Sequence, residues 1–82
     1  MATRQPDLVL INWSRNPLIP GSARRITASR VIGNAEPCVR SLRTNGLLST
    51  ALACLQDHDI GFKIVYRKKT SSISGYLLLQ RN

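Results

Sequence analysis

The sequence predicts a small single-domain α+β protein, a three-stranded antiparallel sheet packed with two or three helices. Three stretches carry that expectation. Residues 8–13, Leu-Val-Leu-Ile-Asn-Trp, are a short continuous run of strand formers. Leu48, Ala51, Leu52 and Leu55 recur at the spacing of one helix face. Residues 62–80 hold two runs of β-branched, aromatic and leucine residues separated by Thr70-Ser71-Ser72, the pattern of a hairpin.

Taken in order, residues 1–7 are polar and expected to be flexible. Residues 8–13 form the first strand. Pro17, Pro20 and Gly21 then mark a turn-rich connection. Ser22 can cap a helix over 23–33, which Gly33 ends. The same segment has a competing reading. Ile26, Thr27, Val31 and Ile32 are β-branched, and a strand at 25–32 would give the order ββαββ. Pro37 suits a first helical turn, and Cys38, Val39 and Leu42 continue an apolar side, so 37–45 reads as a helix closed by Asn45-Gly46. A further helix spans 47–59. The last strands are 62–68 and 73–80. The second of these is almost wholly apolar through Tyr76, Leu77, Leu78 and Leu79, which places it inside the sheet or at the seam of a homodimer.

A chain of 82 residues is one domain and buries only about 60–65% of its unfolded surface, so each large apolar side chain counts. Twelve Lys and Arg stand against four acids, for a net charge of +8, and nine of the twelve are Arg. That field favours polyanions, nucleic acid first. Arg donates through a planar fork that matches phosphates and base edges, and Arg-bearing helices would favour DNA over RNA. No run approaches the roughly 18 apolar residues of a membrane span, and the apolar run at 8–13, preceded by Asp7, is too short for a signal peptide, so no membrane partner is expected. Cys38 and Cys54 form no CxxC pair and are expected as buried free thiols of an intracellular protein, cytoplasmic, nucleoid or nuclear.

No phosphate-binding loop, dinucleotide fingerprint or zinc spacing occurs, so neither an enzyme nor a cofactor or metal site is expected. Asp57-His58-Asp59 groups catalytic residue types, but neighbouring helical side chains point about 100° apart and do not converge. The run Leu52-Ala53-Cys54-Leu55-Gln56-Asp57-His58-Asp59 is similar in pattern to the LAGLIDADG motif of homing endonucleases, which would put Asp59 near a metal-binding position. Cys54 and Ile60 stand where that motif has glycines, and too little chain follows to complete that fold.

The candidate site is therefore the basic charge itself. Arg24, Arg25 and Arg30 lie on or beside the second element, Arg40 and Arg43 on the third, and Lys63, Arg67, Lys68 and Lys69 on the hairpin. Two helices at 23–33 and 37–45 would make a helix-turn-helix, and the order strand, helices, hairpin is similar to the layout of the small phage Cro repressors. The expected function is a dimeric, DNA-binding regulator. With 25–32 as a strand, the basic sheet would instead suit RNA or a single strand, with Tyr66 or Phe62 as stacking platforms. A third reading is a small viral, phage or orphan protein that acts through protein–protein contact along its apolar last strand.

Overall fold

The computed structural model describes residues 7–19 and 21–81. They form four strands, β1 (Asp7–Ser14), β2 (Arg25–Ile32), β3 (Lys63–Ser71) and β4 (Ser74–Arg81), with a 3-10 turn at Cys38–Leu42 and one helix, α1 (Leu48–Leu55). The strands make one antiparallel sheet in the order β2-β1-β4-β3. The first and last strands are its centre. Val9 pairs with Leu79, Ile11 with Leu77 and Trp13 with Gly75, so the odd positions of both strands share one face. α1 and the 3-10 turn cover that face, and Val9, Ile11 and Leu79 are fully buried there. A slip of one residue would turn all of them outward, which fixes the register.

This architecture corrects the expectation of three strands and two or three helices. Residues 23–33 hold no helix, because 25–32 is a strand along β1. Its β-branched residues suit the pleat, where a helix would restrict their side chains. Two residues oppose one where Ala28 faces Asn12 and Ile26 faces Trp13, so Thr27 is a bulge. The bulge turns Ile26 inward to complete burial.

Residues 37–45 are not a helix either. After the five-residue 3-10 turn, Asn45 adopts a φ of 69° and the chain runs back along β2. The Ile26 N–H donates to the Gly46 carbonyl (2.9 Å), the Asn45 N–H to the Ile26 carbonyl (2.8 Å) and the Leu48 N–H to the Arg24 carbonyl (2.9 Å). Backbone at 45–48 thus pairs with the outer edge of β2 at its first residues. α1 is shorter than 47–59 because residues 56–60 turn instead. The Asp57 carboxylate accepts the Asp59 N–H at 2.9 Å, a local bond that competes with helix.

β4 is flanked by β1 and β3, so both its edges are bonded within the chain. Cys38 and Cys54 are bonded to each other, with a Cα–Cα distance of 5.7 Å, and are not the expected free thiols. The bridge pins the 3-10 turn to α1, a staple that suits so small a core. With both sulfurs bonded, cysteine usage no longer points to a reducing compartment. The expected flexible start falls on residues 1–6, outside the described residues, while Asp7 already belongs to β1. No helix among the described residues is long and apolar enough to cross a membrane.

Candidate nucleic-acid interface

The second face of the sheet is covered by no element among the described residues, and strand register states what it displays. Across it, Arg30, Leu10, Leu78 and Tyr66 form one row, and Ala28, Asn12, Tyr76 and Lys68 the next. A third row runs Ile32, Leu8, Gln80 and Lys63. The two central strands carry Leu8, Leu10, Leu78 and Tyr76, while the edge strands carry the cations Arg30, Lys63 and Lys68 together with Tyr66 and Ile32. Leu8, Leu10, Arg30, Ile32 and Leu78 line a shallow hollow of about 230 Å³ on this face.

Tyr66 reaches the open face through a second bulge. Ile64 pairs with Leu79 and points to the core, whereas Tyr66 pairs with Leu78, leaving Val65 as the extra residue. Strict alternation would have put Tyr66 on the same side as Ile64. Instead its ring is half exposed and lies 6.0 Å, centroid to centroid, from Tyr76 at an interplanar angle of 32°. Phe62, the other expected stacking platform, is 2% exposed and lies beneath the Arg81 guanidinium, 4.6 Å from its ring centroid. It belongs to the core.

The nine expected contact residues do not converge on one surface. Arg30, Lys63 and Lys68 stand on the open face by register. The Val65 bulge sends Arg67 and Lys69 to the opposite side, opposite Leu77 and Gly75. Arg24 joins them there, its guanidinium 4.6 Å from the Trp13 ring centroid. Arg25 pairs with Ser14 and donates from Nη1 to the Asn45 carbonyl at 2.9 Å. Arg40 and Arg43 are exposed in and just after the 3-10 turn, so no recognition helix presents them. That removes the helix-turn-helix. Asp57, His58 and Asp59 sit on an exposed turn, and no cluster of three or more His, Cys, Asp or Glu able to hold a metal occurs among the described residues.

Tyr76, Leu10 and Leu78 were missing from the expected site. Their signal is parity: they alternate with the buried residues of two central strands whose second face is uncovered. No protein-family model matches this chain, and no curated protein or solved structure matches it.

Proposed function

We propose that the protein binds single-stranded nucleic acid, RNA above all, across the open face of its sheet. The observation that supports this reading most is the Tyr66–Tyr76 pair on an uncovered face, with Lys63 and Lys68 beside Tyr66 on one edge strand and Arg30 on the other. Bases stack on aromatic side chains whatever their identity, and cations at the rim neutralise the phosphates. A duplex hides its bases and cannot use the tyrosines. The net charge of +8 adds long-range attraction.

The test is fluorescence anisotropy of labelled single-stranded RNA, single-stranded DNA and duplex DNA across a salt series. Single strands should bind more tightly than duplex. Each neutralised phosphate contributes about −0.7 to the slope of log K against log salt, so the three rim cations should give a slope near −2. Equal competition by duplex would overturn the reading.

The aliphatic side chains Leu8, Leu10, Ile32 and Leu78 on the same face support a second reading, in which a second copy of the chain packs face to face on the sheet. Sedimentation equilibrium separates the two. A dimer that dissociates as RNA binds would place both partners on this face.

A further inference from the structure

On the helix side of the sheet, near the β3–β4 turn, lies a groove of about 430 Å³, within the size range of small-molecule sites. Its floor is apolar, formed by Trp13, Leu48, Leu52 and Ile64. The Trp13 ring lies against Gly75, where an added Cβ would come 2.9 Å from Cζ2, so the absence of a side chain there makes room for the indole. Around the floor stand Arg24, over the indole, and Arg67 and Lys69, which the Val65 bulge turns to this side.

The charge here is one-sided. The chain has four acids, Asp7, Glu36, Asp57 and Asp59, and none lines the groove. Arg24 is held over the Trp13 ring, but no acid in the groove neutralises it or Arg67 and Lys69, so the three cations repel one another there. An apolar floor with a cationic rim complements a molecule with the inverse arrangement. We infer that this groove binds a single-chain acyl anion, with its hydrocarbon along Leu48, Leu52 and Ile64 and its carboxylate held by Arg24, Arg67 and Lys69. The three-carbon stems of the arginines extend the apolar wall toward the head, as long basic side chains do at water–hydrocarbon boundaries.

Lys68 and Tyr76, whose register sets them on the open face, also border the groove, whereas Tyr66 does not, so Tyr66 is the residue that tells the two sites apart. Trp13 is the only tryptophan in the chain and reports directly on the groove. The experiment titrates the disulfide-intact protein with dodecanoate, below its micelle concentration, and follows tryptophan emission. A saturable change is expected. The double variant Arg67→Gln/Lys69→Gln, whose residues are exposed and whose fold circular dichroism would verify, should weaken binding at least tenfold. Tyr66→Ala should leave it unchanged. Dodecyl maltoside, with the same chain and a neutral head, should bind at least tenfold more weakly than dodecanoate. No saturable change, equal binding of the maltoside, or displacement of dodecanoate by uridine monophosphate at similar concentration would each overturn the proposal, the last by making the groove a nucleotide subsite.

Discussion

The guanidinium of Arg81 lies 2.9 Å from the carboxylate of Asp7 and ties the last residue of β4 to the first of β1. The same group donates from Nη2 to the Asn34 carbonyl at 2.7 Å and from Nη1 to the Ile60 carbonyl at 3.3 Å. It also roofs Phe62. One side chain thus gathers both central strands and two loops at one end of the sheet.

Arg81→Ala should therefore destabilise the fold by about 1–3 kcal/mol in urea denaturation, mostly through lost hydrogen bonds and packing. The ion pair contributes little of this, since its side chains are 22% and 26% exposed and partly screened. Arg81→Lys should recover only part of the loss, because an ammonium cannot serve acceptors in three directions with a fork's geometry. Equal stability of the lysine variant and the parent would remove the clasp from the account.

Reduction of Cys38–Cys54 should lower stability by about 3 kcal/mol, the loop-closure value for a separation of 16 residues. Thiol titration of the native protein without reductant should find no reactive cysteine. Recovery of two thiols from freshly purified, folded protein would contradict the bridge.

Tyr66→Ala and Tyr76→Ala should each cost about 1–3 kcal/mol in binding to single-stranded RNA, the range for loss of one stacked base. Tyr66→Ala should scarcely change the urea midpoint, because its ring is half exposed. Phe62→Ala should behave in the opposite way, removing about 3–5 kcal/mol of fold stability as a buried aromatic. Substituting Arg30, Lys63 or Lys68 with Gln should lower the salt slope by about 0.7 each for a single strand.

Gly75→Ala should destabilise by about 1–3 kcal/mol. Its Cβ would fall 2.6 Å from the Lys68 carbonyl oxygen and 2.9 Å from Trp13 Cζ2, and the first of these atoms is backbone in a paired strand. Trp13 emission should shift as the indole is displaced. An unshifted spectrum with unchanged stability would show that the strand yields at no cost.

Much of the sheet was legible. The run at 8–13 and the two runs at 62–80 are strands, and Leu48, Ala51 and Leu55 are the buried face of α1. What escaped was hidden by bulges and local bonds. β2 buries only Ile26 fully, and the Thr27 bulge breaks the alternation that would have marked a strand. At Val65 a second bulge exchanges faces, so period-2 reading put Tyr66 with Ile64 and could not tell the cations of the open face from those of the groove. The end of α1 depended on a carboxylate bonding its own backbone. Charge sign was plain from composition; charge placement was not, because two extra residues decide it.

The sheet order β2-β1-β4-β3 has a temporal consequence. Its two hairpins are local in sequence and lie at the margins, while the central ladder joins residues as far apart as Asp7 and Arg81. Neither hairpin has a stable core of its own, since an isolated pair of strands is marginal in water. Completing the sheet therefore requires closing a loop of nearly the whole chain, a long-range pairing of the kind that slows folding. On a ribosome, β1 could pair with β2 early but would lack its β4 partners until Leu77 and Leu79 had emerged, so the central ladder would close only after the last strand was made.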